Sequence, residues 1–185
     1  MINYKLLDDS ISFYTSKGYN RIEAPWTTSE YINNITAPKG VTQFQFKHND
    51  KCLVASGEQS FLYLYLKGFL PKGKYQTTTP CFRMETFDLT HTKYFIKNEL
   101  IITDDVNLDN LLDMVSYAKT FYSRYLNNVT KEKTENGYDL VCKGVELGSY
   151  GIRRCEFLEW IYGTGCAEPR LSTVIKLQNK RYGLS

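Results

Sequence analysis

Residues 80–100 read PCFRMETFDLTHTKYFIKNEL, and their side-chain types recur at the two-residue period of a strand. Cys81, Arg83 and Glu85 fall on one face of a first strand, Phe82 and Met84 on the other. A polar turn over residues 86–90 leads to a return strand. There His91, Lys93, Phe95, Lys97 and Glu99 share one face, opposite Tyr94, Ile96 and Leu100. One face is apolar, and the other carries cations, carboxylates and one aromatic ring. A solvated amphipathic hairpin has this pattern. The order F-R-x-E, a short loop, then H-x-x-x-F-x-x-x-E also sets an arginine fork, carboxylates and an aromatic ring on one face, where they could bind a polar ligand.

Three further stretches carry reactive residue types. Residues 51–59 read as a short strand ending in Ser56-Gly57-Glu58-Gln59, with the apolar run FLYLYLKGF beyond. Glu58 there is equally a first-turn carboxylate favoured by the helix dipole or a receiver for a ligand cation. Residues 137–154, GYDLVCKGVELGSYGIRR, read as a strand with a turn at Lys143-Gly144 that kinks or bulges it. They present the carboxylates Asp139 and Glu146, then the adjacent Arg153 and Arg154, either of which could make a structural salt bridge. Residues 156–177 read as a strand with Gly163 and Gly165, followed by Arg170 opening an apolar helix with Pro169 beside its first turn.

In this order the stretches resemble the motifs of the class II aminoacyl-tRNA synthetases and their relatives. A helix over 5–17, Gly18, a strand over 19–24 and Pro25 resemble motif 1, which in relatives builds a dimer interface. The 80–100 hairpin resembles motif 2. The resemblance implies that Arg83 holds the α-phosphate and the substrate carboxylate, and that Glu85 contacts the adenine amino group. It also implies that His91 reaches the γ-phosphate and Phe95 stacks on adenine. Gly163, Gly165 and Arg170 resemble motif 3, with Arg170 covering the adenine and touching the γ-phosphate; Ala167 stands where the family has a third glycine. The match D-L-x-x-x-G-x-E-L-x-S-x-x-I-R, through Asp139, Gly144, Glu146, Ile152 and Arg153, is similar to the aspartyl and asparaginyl synthetases and the ammonia-dependent asparagine synthetase. It implies Mg²⁺ held by Asp139 and Glu146, Glu58 receiving an amino acid's ammonium, and Arg153 pairing with an aspartate side chain.

The 185 residues have the length of one domain, 1–185, with no room for an anticodon-binding domain. A net charge of +3 with scattered lysines gives no electrostatic case for strong nucleic-acid binding. No apolar run reaches membrane-span length and no signal-peptide pattern opens the chain, so a cytoplasmic location is expected. Five cysteines without a C-x-x-C pair read as reduced thiols, and two histidines make a histidine metal site improbable.

The elements that must position these residues follow from periodicity. Leu108, Leu111, Leu112, Val115, Ala118, Phe121, Tyr122 and Tyr125 form the strongest helical stripe, expected on the back of the sheet. Residues 27–40 read as a loop with a helical turn, 42–47 and 51–55 as short strands, 72–79 as a strand entering the hairpin, and 127–137 as a charged surface turn. The resemblance implies an α+β fold, a class II synthetase-like antiparallel sheet flanked by helices, assembled as a homodimer. It implies a ligase that uses ATP and Mg²⁺ to activate an amino acid, aspartate or asparagine favoured. The acyl group would pass to a tRNA end, a carrier or a small amine. An aspartate-ammonia ligase and a non-catalytic accessory paralogue are the other expectations.

Overall fold

The computed structural model describes residues 1–37, 43–47, 49–84 and 94–180. Among these the elements run α1 (Tyr4–Thr15), β1 (Asn20–Arg21), β2 (Thr27–Ser29), α2 (Glu30–Thr36), β3 (Lys51–Leu53), α3 (Gly57–Leu66), β4 (Lys74–Phe82), β5 (Tyr94–Ile102), α4 (Leu108–Tyr122), β6 (Thr130–Thr134), β7 (Gly137–Cys142), β8 (Val145–Arg154), β9 (Glu159–Glu168) and α5 (Arg170–Lys180). Seven strands form one sheet in the order β1-β4-β5-β9-β8-β7-β6, and β2 pairs with β3 apart from it. Within the large sheet β1 lies parallel to β4, and the other neighbours are antiparallel. The α+β architecture expected from the sequence is therefore observed.

Helices pack on both faces of the sheet. On one side α1, α4 and α5 bury Leu7, Tyr14, Met114, Phe121 and Val174 against Leu100, Tyr150 and Ile161. The α4 stripe holds from Leu111 to Tyr122, with Met114 added to it and Leu108 exposed at its start, and Asn107 caps the helix by accepting from Asn110 N at 2.9 Å. On the other side α2 and α3 bury Ile32, Phe61 and Leu62 against Tyr75, Ile101 and Trp160. Helix α3 covers only part of that face, and the remainder is open.

Several local expectations need correction. Residues 130–134 form an edge strand on β7 rather than a turn; TKEKT is exposed at four of five positions, so no apolar alternation announces it. Residues 27–36 form β2 and α2 instead of a loop, with Ser29 as the helix cap. The strand expected over 19–24 is only Asn20–Arg21. Residues 137–154 are a hairpin of two strands, turned through Lys143 and Gly144 at φ 52° and 75°. Tyr94, expected on the apolar face, is exposed.

The motif 3 resemblance implies that Gly163 and Gly165 let ATP approach the backbone closely, but the structure shows a different constraint on them. A Cβ on Gly163 would run into Met114 Sδ and lie 2.6 Å from Tyr150 Cδ1, and one on Gly165 would lie 2.9 Å from Tyr14 Cε2. Both point into the helix-covered core, so packing against buried aromatic rings accounts for them. Gly163→Ala is expected to lower stability by about 1–3 kcal/mol through overpacking, read from the urea midpoint; an unchanged midpoint would contradict this packing.

Candidate functional site

The open part of the sheet forms a cavity of about 330 Å³. Strand alternation places Phe95, Lys97 and Glu99 of β5 on its floor, opposite Cys81, Thr79 and Thr77 of β4. This is the charged face read from the sequence, but it is not solvated. Glu99 is 4% exposed. Its carboxylate accepts from Ser56 Oγ and from Gly57 N–H, and it pairs with Lys97 Nζ at 2.6 Å. The N-terminus of α3 is thus fastened to the middle of β5. A Cβ on Gly57 would lie 2.9 Å from both Glu99 Oε2 and Thr79 Oγ1, so this approach requires glycine.

Fastening α3 delivers Glu58 to a second buried group. Arg153 Nη1 of β8 donates to Glu58 Oε2 at 2.5 Å, and Trp160 Nε1 of β9 donates to Oε1 at 2.6 Å. The Arg153 guanidinium also stacks over the Tyr162 ring, 4.1 Å from its centroid. Burial raises the Glu58 carboxyl above its usual range, and the lowering by Arg153 and Trp160 does not cancel it. Burial, the largest single cause, pulls Arg153 down, yet the charge and hydrogen bond of Glu58 together with Tyr162 and Glu99 more than offset it, and the net shift is upward. The two residues expected to read a substrate's ammonium and carboxylate therefore read each other.

At the opposite end, Arg83 Nε donates to Ala55 O at 3.2 Å and the guanidinium lies 5.2 Å from the Phe95 centroid. Arg170 opens α5 and pairs with Glu146 at 3.3 Å; both line the cavity. Glu168 supports that end by accepting from Ser172 N and Asn3 N, each at 2.9 Å. Asp139 faces Ser149 across the β7–β8 ladder, on the side of the sheet that bears Glu146, and its Oδ1 is buried without a hydrogen-bond partner. Glu85 and His91 lie outside the described residues.

Of the sequence candidates, Glu58, Arg83, Phe95, Glu146, Arg153 and Arg170 all line this cavity. The sequence reading assigned no role to Lys97, Glu99, Trp160 or Tyr162. The Phe95-Lys97-Glu99 alternation was a usable signal for the first two; nothing local marks Trp160 or Tyr162. The cysteines are free thiols, four of them buried, and burial pushes Cys81 up to about 12. No group of three or more metal-ligating side chains clusters among the described residues, nor is any helix there long and apolar enough to cross a membrane.

No protein-family profile matches the chain, and no curated protein does. Solved structures do match in fold. A cytoplasmic serine-tRNA ligase from Naegleria fowleri in complex with AMP aligns with TM-score 0.68 and 18% identity over 97% of this chain and 57% of its own. Pyrrolysyl-tRNA synthetase from Desulfitobacterium hafniense gives 0.67 and 18% over 97% and 69%. Seryl-tRNA synthetase from Pyrococcus horikoshii complexed with ATP gives 0.73 and 12% over 91% and 49%. The chain spans about half to two thirds of the length of these proteins, and its fold is class II synthetase-like.

The Glu58–Arg153 pair makes a pH prediction. A carboxyl whose folded pKa is raised contributes fully below its unfolded value and loses that contribution as pH rises through the folded one. Arg153→Met removes the cation and raises the folded value further. With Arg153 38% exposed and screened by solvent, the variant is expected to lose about 1–3 kcal/mol at neutral pH and to recover part of it at mildly acidic pH. Urea midpoints at the two conditions check this; a pH-independent loss would contradict it.

Proposed function

We propose that this chain uses ATP to activate an amino acid, forming an aminoacyl adenylate and releasing pyrophosphate. The observation that carries the reading is the convergence of Arg83, Phe95 and Arg170 on one cavity, within a fold shared with synthetases complexed with AMP and ATP. An amino-acid carboxylate oxygen attacks the α-phosphorus, a new P–O bond forms, and the bond to the bridging oxygen breaks as pyrophosphate leaves. Negative charge grows on the equatorial oxygens. Arg83, steadied on Ala55 O and against Phe95, is the cation for the α-phosphate. Phe95 offers the adenine platform, and Arg170 covers the nucleotide from the other side. Glu85 and His91 are assigned to the adenine amino group and the γ-phosphate.

Mg²⁺ fits the donors present. Asp139 carries a buried oxygen without a partner and Glu146 lines the cavity, and one or two carboxylates are enough for an ion that keeps waters and substrate phosphates in its shell. When bound, it would neutralise charge on the phosphates. Release of Glu146 from Arg170 frees both for these roles.

Glu58 is assigned to the substrate ammonium. Because Arg153 is already engaged by Glu58 at 2.5 Å, an aspartate side chain would compete for it, whereas asparagine would not. Aspartate and asparagine are thus both proposed, with asparagine making the smaller demand on the pair. The acceptor is a tRNA end, a carrier or a small amine, and a homodimer in the cytoplasm is the proposed state.

Amino-acid-dependent ATP-pyrophosphate exchange, run with Mg²⁺ over the twenty amino acids, tests the reading. Exchange with a single amino acid is expected, and Arg83→Ala should reduce it at least about a hundredfold, the cost of removing one transition-state donor, while leaving the fold intact. Folded protein that exchanges with none, alone or with tRNA or ammonia added, would overturn it.

A further inference from the structure

Cavity-lining residues on β8 and β9 do not follow strand alternation. Glu146 and Ser149 are three apart and both line the cavity, as are Thr164 and Ala167. A regular strand would turn one of each pair to the opposite face. The ladders show why this does not happen. Leu140 pairs with Gly148 and Val141 with Glu146, so Leu147 is an extra residue on β8. Asn98 pairs with Cys166 and Glu99 with Thr164, so Gly165 is an extra residue on β9. Two bulges therefore sit on neighbouring strands, close enough that a Cβ on Gly148 would lie 2.7 Å from Thr164 Cβ.

Behind the bulges stand three tyrosines with no exposed surface: Tyr14 of α1, Tyr122 of α4 and Tyr150 of β8. Each phenol donates to a bulge carbonyl. Tyr122 Oη reaches Leu147 O at 3.1 Å, Tyr150 Oη reaches Thr164 O at 2.7 Å, and Tyr14 Oη reaches Gly165 O at 3.2 Å. Burial holds all three phenols well above the usual tyrosine range, so they remain protonated donors. A bulge carbonyl facing an apolar core without a donor is costly, and each hydroxyl favours the bulged register over a regular one.

We infer that Tyr14, Tyr122 and Tyr150 are positioning residues: their hydroxyls hold the paired bulges, and the bulges turn Glu146, Ser149 and the Ala167–Arg170 end of the sheet toward the cavity. The nucleotide part of this inference rests on the ATP reading above. The phenols touch no substrate and act from the helix-covered side, so the core behind the sheet sets the geometry of the site in front of it.

The test uses Tyr150→Phe and Tyr122→Phe, which keep the ring and remove the hydroxyl, with Tyr75→Phe as the control because its phenol donates to Pro71 O, away from the bulges. Amide hydrogen exchange and ATP titration are measured on folded protein. Exchange is expected to quicken about tenfold in residues 145–149 and 163–168, the loss of one buried hydrogen bond. ATP should bind several-fold more weakly to both variants and unchanged to the control. A merely structural role would lower the melting temperature without changing ATP affinity of the folded protein, and that result would overturn the positioning role. Unchanged exchange in both segments would overturn the bulge claim. If wild-type protein fails to bind ATP, the ATP reading falls, and the bulge claim is decided by the exchange pattern alone.

Discussion

A carboxylate removed from water must be given charged or strong donors, and the cavity is arranged around two that have been. Glu99 takes the hydroxyl of Ser56, the backbone N–H of Gly57 and the ammonium of Lys97. That fixes where α3 begins. Glu58, the next residue of α3, is thereby set against Arg153 and Trp160 on the far strands. The helix is tied to β5, β8 and β9 through two side chains. Gly57 is the point where this arrangement meets steric limits, since a side chain there would occupy the space of the Glu99 carboxylate and Thr79.

The parts of the fold legible in the sequence were those with strong periodicity. The α4 stripe, the alternation through Phe95, Lys97 and Glu99, and the turn at Lys143-Gly144 each have a local physical cause that survives folding. Strand β6 was not legible because a charged edge strand has no apolar face to reveal it; only its backbone ladder with β7 defines it. Gly163 and Gly165 were legible as special positions but not for the right reason, because their neighbours, Met114, Tyr150 and Tyr14, come from distant parts of the chain.

At the site, residue types were readable and pairings were not. Glu58 and Arg153 are 95 residues apart, and nothing local in either stretch shows that they neutralise each other. Nor does β-strand period reveal that Glu146 and Ser149 share a face, because the bulge that makes it so lies in the register with β7 and takes its hydroxyl from Tyr122 of α4. The site is therefore specified less by the motifs on the open face than by what the covered face permits.

The most direct measurement is a crystal structure of the protein soaked with ATP and Mg²⁺ at saturating concentration. The account predicts the adenine against Phe95, with the phosphates between Arg83 and Arg170 and Glu146 released from its pair. Nucleotide bound elsewhere, or an intact Glu146–Arg170 pair with no density for ATP in the cavity, would contradict it.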